Sequence, residues 1–159
     1  MTARGVLHVH SCLPAICPHV SWAASRALGV RIDLQWSPQP AAPGTLRSEL
    51  AWSGPAGTAG RLASMLQGWS PLRFEMTEEP APGCDGVRYS YTPSLGLFSA
   101  VMSANGDVLV REDRLRALLG ASGDVRAALN AALGTPWDDE LEPYRYAGDN
   151  APVRLTRVV

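Results

Sequence analysis

Apolar and polar positions change period several times along the first half of the chain. Residues 5–11, Gly-Val-Leu-His-Val-His-Ser, read as a short strand. Pro18 then opens a helix as a first-turn proline, Val20, Ala24 and Ala27 recur at helical spacing, and Gly29 closes it. Residues 30–36 alternate, with Val30, Ile32, Leu34 and Trp36 on one face and Arg31, Asp33 and Gln35 on the other, which predicts a second strand. Ser37–Gly44 holds three prolines and a glycine and is a predicted loop. Residues 45–52 alternate again, setting Leu46, Leu50 and Trp52 against Arg47, Glu49 and Ala51. After a Gly54–Gly57 turn, Thr58 is the predicted cap of a helix whose stripe is Leu62, Met65, Leu66 and Trp69. Residues 72–78 form a fourth strand, with Leu72, Phe74 and Met76 inward.

This order, strand-helix-strand-strand-helix-strand, predicts an α+β fold whose first half is a ferredoxin-like split β-α-β-β-α-β unit. The second half predicts an additional β-hairpin and helices. Strands are expected at 87–92 and 95–102, and a tight turn over Ala104-Asn-Gly-Asp107 returns a strand at 108–110. Short helices are expected at 112–120 and 123–133, then an acidic segment running from Trp137 to Glu142, and a last strand over 153–159. The whole of 1–159 is expected to form a single domain, with residues 1–80 as the ferredoxin-like half and 81–159 packed on it.

In this arrangement Leu7 and Val9 face the helices. His8, His10, Arg31, Asp33, Gln35, Arg47, Glu49, Arg73 and Glu75 then share the opposite face, expected as a solvated or partner-binding surface. The tryptophans at 22, 36, 52 and 69 read mostly as core. Trp137, with Asp138, Asp139 and Glu140 beside it, reads as a contact segment. Of the acidic residues around the fourth strand, Glu75, Glu78, Glu79 and Asp85, ion pairing to Arg73 or Arg88 is the expected role.

Composition removes several chemistries. All 14 basic residues are arginine, so no lysine is present for a Walker-type phosphate loop, a Schiff base or a kinase-like site. Net charge is -1, with no long run of one sign, which argues against nucleic acid and an anionic membrane as partners. There is no apolar stretch of membrane-spanning length and no apolar segment near Met1, and the three cysteines are too few for a disulfide scaffold; together these predict a cytoplasmic protein. Neither a nucleophile elbow nor a dinucleotide-binding glycine pattern occurs, so no catalytic residues are assigned.

One local cluster carries candidate chemistry. His8, His10 and Cys12 share alternate strand positions, and Cys17-Pro-His19 follows one loop later. Imidazole and thiolate are ligands zinc prefers, and Cys17 at a helix start is a candidate reactive thiol. No second well-spaced pair lies downstream, and ordinary hydrogen-bonding roles compete with the metal reading.

The chain resembles an actinobacterial family known as domain of unknown function 3145. The resemblance is carried by Arg4–Ser11, Cys17–Trp22, Trp36–Gly44, Arg73–Pro80, Gly83–Tyr89 and Ala104–Asp107. It implies that His10, Cys17 and His19 belong to the family pattern while His8 and Cys12 do not, leaving three residues for an open zinc site. Family members often sit beside type II fatty-acid synthase genes in streptomycete-like genomes. The resemblance therefore implies a small accessory protein of fatty-acid or acyl-CoA metabolism and transfers no mechanism. The expected function is a non-catalytic accessory or regulatory protein binding, for example, an acyl-CoA carboxylase or synthase component. Trp137, Asp138, Asp139, Glu140, Arg47, Arg73 and Glu75 are the candidate contact residues, and a homodimer stays open. The alternative is a small ligand- or metal-binding domain or enzyme built on His10, Cys17 and His19.

Overall fold

The computed structural model describes residues 1–69 and 71–147. The protein is α+β. Seven strands, β1 (Thr2–Cys12), β2 (Ser37–Pro38), β3 (Leu46–Pro55), β4 (Arg73–Glu78), β5 (Gly86–Thr92), β6 (Gly96–Met102) and β7 (Val108–Leu109), form one sheet in the order β2-β3-β1-β4-β5-β6-β7. Every neighbouring pair is antiparallel. Among the described residues five helices accompany it: α1 (Cys17–Leu28), α2 (Thr58–Leu66), α3 (Glu112–Gly120), α4 (Val125–Leu133) and α5 (Thr135–Arg145).

The register decides what each face carries. Leu50, Leu7, Met76, Tyr89 and Ser99 lie opposite one another across β3, β1, β4, β5 and β6. The adjacent row, Glu49, His8, Glu75, Ser90 and Phe98, points to the other face, because side chains alternate along a strand. The first face packs on α1 and α2. Leu7, Val9, Phe74 and Met76 join Val20, Ala24, Leu62 and Leu66 in a buried apolar core, and the Phe74 and Tyr91 rings stack with centroids 5.4 Å apart. Gly5 is required where β1 crosses beneath Trp52. A Cβ there would lie 1.8 Å from the Thr77 carbonyl oxygen and 2.5 Å from the indole.

The second face is covered by α5. Trp137, Leu141 and Tyr144 recur at helical spacing and turn toward the sheet; Leu141 is fully buried and the Trp137 and Phe98 rings sit 5.0 Å apart. Trp137 Nε1 also donates to the Gly96 carbonyl at 2.9 Å. The acidic segment expected at 137–142 lies within the first two turns of this helix. Pro136 starts it, at the position where a missing N–H costs nothing.

Two other expectations change. Residues 30–36 bury Leu34 and half-bury Ile32 and Trp36, but Val30, expected on the same inward face, is exposed, and the segment forms no strand. The Ile32 N–H goes to Ser25 Oγ on α1, and the Gln35 carbonyl accepts from Ser48 Oγ, so the backbone is satisfied by side chains rather than a ladder; β2 is only the two residues that follow. Trp22 is not core: it is 56% exposed, with Arg26 5.6 Å over its ring. The predicted strand 153–159 lies outside the described residues.

Candidate functional site

Glu75 is the centre of the second face. Position 75 sits mid-strand on β4, flanked in register by His8 on β1 and Ser90 on β5, and α5 closes over it. Its Oε2 accepts from His10 Nε2 at 2.7 Å and from Arg145 Nε at 2.6 Å. Its Oε1 accepts from Arg88 Nη2 at 2.8 Å, from Ser90 Oγ at 3.4 Å, and from Arg145 Nη2. Arg145 therefore grips the carboxylate with both prongs of its guanidinium. Asp138 completes the cluster, accepting from Arg88 at 2.5 Å and Arg145 at 2.8 Å.

The charges balance. Two carboxylates, Glu75 and Asp138, face two guanidinium groups, Arg88 and Arg145, and His10 Nε2 adds a further hydrogen bond to Glu75. Burial alone pushes the Glu75 pKa up, but hydrogen bonds from His10 and Arg145 overcome it and hold the carboxyl well below its ordinary 4.5. Asp138 follows the same logic: burial raises it, and Arg88 and Arg145 bring it below 3.8. Burial likewise works against the Arg145 charge, and the two carboxylates more than offset it.

Surrounding contacts lock the helix down. Fully buried Gln39 donates to the His10 carbonyl at 2.7 Å and the Tyr144 carbonyl at 3.1 Å, and accepts from the Ala41 N–H at 3.0 Å. It thereby joins the Pro-rich loop, β1 and the end of α5. Glu140 accepts from Thr92 Oγ1 at 3.1 Å and Ser94 Oγ at 2.5 Å, and Arg73 lies 4.8 Å over the Tyr144 ring. Arg47 donates to the Ala147 carbonyl. Beside this seam is a small cleft of about 130 Å³ between His8, His10, Arg47, Glu49 and Tyr144. The His8 and His10 rings are stacked there, 6.0 Å apart, and His8 is pulled below its ordinary 6.5, first by burial, with Glu49 acting in the opposite sense.

Most residues singled out as partner contacts therefore serve the protein's own packing. Glu75, Asp138, Glu140, Arg47 and Arg73 hold α5 and the sheet together, and Trp137 plugs α5 against β6. Asp139 alone of that set is exposed. The physical reason is the helix: it turns every third or fourth residue of the acidic run inward, onto cations waiting on β5 and on α5 itself. Arg88 was identifiable as an ion-pair partner. Arg145, Gln39 and Ser90 were not, although Arg145 stands eight residues after Trp137 and four after Leu141, a helical spacing that places it on the same buried face.

Zinc has no ligand set in His10, Cys17 and His19. His10 spends its Nε2 on Glu75, on the face under α5. Cys17 and His19 lie on α1, which packs on the opposite face; Cys17 Sγ donates to the Leu13 carbonyl at 3.4 Å, and exposed His19 meets the Trp69 ring edge-on. Among the described residues no group of three or more His, Cys, Asp or Glu side chains is disposed to hold a metal ion. No helix among them is long and apolar enough to cross a membrane.

Glu78, next to the site in sequence, points to the other face and has a structural task. Its two oxygens accept from the Gly57 N–H at 2.8 Å and the Ala59 N–H at 3.0 Å, capping α2 from a neighbouring strand. Thr58, the predicted cap, instead donates its hydroxyl to the Pro55 carbonyl.

No curated protein and no solved structure matches the chain. The family described as a protein of unknown function, DUF3145, matches residues 6–157, and the chain belongs to that family.

Proposed function

We propose that this chain is a non-catalytic accessory or regulatory protein that binds a protein partner through its α3–α4 hairpin. The observation that carries the reading is that α3 buries no side chain and α4 buries only Ala132, although both are rich in leucine and alanine. Leu115, Leu119, Val125 and Leu133 stand exposed there, with Leu109 of β7 beside them, and Leu119 is 74% exposed. A cluster of exposed large aliphatics on two adjacent short helices is the pattern of a surface that another protein covers. The acid and base groups under α5 support the non-catalytic half of the reading, since Glu75, Asp138, Arg88 and Arg145 are engaged with one another.

The resemblance of the sequence to its family's members supplies the setting: fatty-acid or acyl-CoA metabolism in the cytoplasm, with a carboxylase or synthase component as partner. We further propose that residues 1–80 are a ferredoxin-like unit. The order β2-β3-β1-β4, with all neighbours antiparallel and α1 and α2 on one face, supports it.

The test is quantitative capture at native expression level with the wild-type chain and with Leu115→Glu/Leu119→Glu as baits, followed by titration of the purified partner. A stoichiometric component of acyl-CoA metabolism that binds the wild type and loses affinity at least tenfold for the variant supports the reading. Equal binding by both baits moves the surface away from the hairpin. Recovery of a second copy of this chain alone replaces the partner by a homodimer.

A further inference from the structure

Cys12 closes β1 and Cys17 opens α1, and the turn between them folds both thiols onto one acceptor. Cys12 Sγ and Cys17 Sγ each donate to the Leu13 carbonyl at 3.4 Å, so the two thiols share one acceptor. The same carbonyl already accepts the Ile16 N–H at 2.8 Å and the Cys17 N–H at 3.3 Å. Four donors crowd an oxygen that has two lone pairs. Removing both thiol hydrogens would leave that oxygen fully satisfied by backbone. Access is one-sided: Cys12 is sealed, whereas Cys17 lies on the floor of an open surface depression walled by Pro14, Pro18, Trp22, Ile32 and Trp36.

We propose that Cys12 and Cys17 are an oxidisable pair that closes to an intrachain disulfide, with Cys17 meeting the oxidant and Cys12 resolving it. With hydrogen peroxide as oxidant, the Cys17 sulfur attacks a peroxide oxygen. The O–O bond breaks, one water leaves, and Cys17 becomes a sulfenic acid. The Cys12 sulfur then displaces the sulfenic hydroxyl as a second water while the S–S bond forms. Two thiols are oxidised by two electrons and one peroxide is reduced by two, giving one disulfide and two waters. The bond joins the end of β1 to the start of the helix it feeds, and it does so on the face away from the α5 seam. Burial pushes both thiols above their ordinary 9.0, so little thiolate exists at neutral pH and the reaction accelerates as pH rises.

The experiment uses the full chain with exposed Cys84 replaced, Cys84→Ser, so that intermolecular thiol chemistry is removed. The folded protein is treated with hydrogen peroxide, then denatured, alkylated and peptide-mapped. The expected result is a Cys12–Cys17 linked peptide that dithiothreitol reverses, formed faster at pH 9 than at pH 7. Adding Cys12→Ser should strand Cys17 as a sulfenic acid trapped by dimedone. Free, alkylatable Cys12 and Cys17 after treatment would overturn the proposal, as would a link that forms only in denatured protein. A Cys12→Ser chain whose Cys17 gives no sulfenic adduct would overturn the assigned order of attack.

Discussion

The two faces of one sheet are held down by opposite means. Under α1 and α2 the contacts are apolar and non-directional: Leu7, Phe74, Met76, Leu62 and Leu66 are fully buried among one another. Under α5 the contacts are directional and charged, and Glu75 alone receives donors from His10, Arg88, Ser90 and Arg145. Burial of apolar area tolerates small slips of a helix. A two-pronged ion pair does not, because moving α5 by even one residue takes Arg145 off Glu75 and breaks both bonds of that buried pair. The second face therefore specifies where α5 sits, while the first supplies most of the driving force for collapse.

Single deletions should hurt both faces to a similar, large extent. Phe74→Ala and Glu75→Ala are each expected to cost about 3–5 kcal/mol in urea unfolding, the first by leaving a cavity and the second by leaving the buried Arg88 and Arg145 to share Asp138. Compensation then separates them. Glu75→Met combined with Arg145→Met should be more stable than Glu75→Met alone, since the double change removes both members of the buried pair and leaves Arg88 with Asp138. No second truncation should rescue Phe74→Ala. A double variant weaker than the single would show that the charges contribute net stability rather than specificity.

Acid sharpens the contrast next. The Glu75 carboxyl titrates well below 4.5 in the folded protein, so its contribution is fully present above that value and is lost as pH falls beneath it. The stability gap between wild type and Glu75→Ala should narrow on acidification below pH 4.5, while the gap to Phe74→Ala stays constant. Parallel curves for the two variants would remove the ionic account of the second face.

A smaller effect is expected at Glu78, a carboxylate that works on the apolar face. Glu78→Gln should cost about 1 kcal/mol by weakening the cap on α2, with its largest hydrogen-exchange change at the first turn of that helix. Smallest of all, Leu119→Glu should alter stability by no more than about 0.5 kcal/mol, because its side chain is mostly exposed among the described residues. A large loss there would mean that the hairpin is part of the core and not a docking surface.

Much of the apolar face was legible along the chain. Leu7 and Val9, Phe74 and Met76, and the Leu62–Leu66 stripe carry their period openly, and Pro18 and Gly29 mark the ends of α1 where they stand. The charged face was legible only in part. His8, His10, Arg47 and Glu75 were correctly set on a polar surface, but nothing local told whether water or another part of the chain would cover it. The acidic run at 137–142 was read by its charge, and its helical spacing, Trp137, Leu141, Arg145, is the signal that reveals its buried side.

The sequence by itself thus determined the strand and helix periods, the absence of lysine-dependent chemistry, and which residues share a face, because each of these depends on neighbours a few positions apart. Tertiary structure alone decided that α5 covers the polar face and that Glu75 binds Arg145 seventy residues away. It also decided that His10 answers to that carboxylate rather than to Cys17 and His19. Those outcomes depend on which surfaces meet when the sheet closes, and an imidazole or carboxylate commits to the partner that desolvation brings nearest.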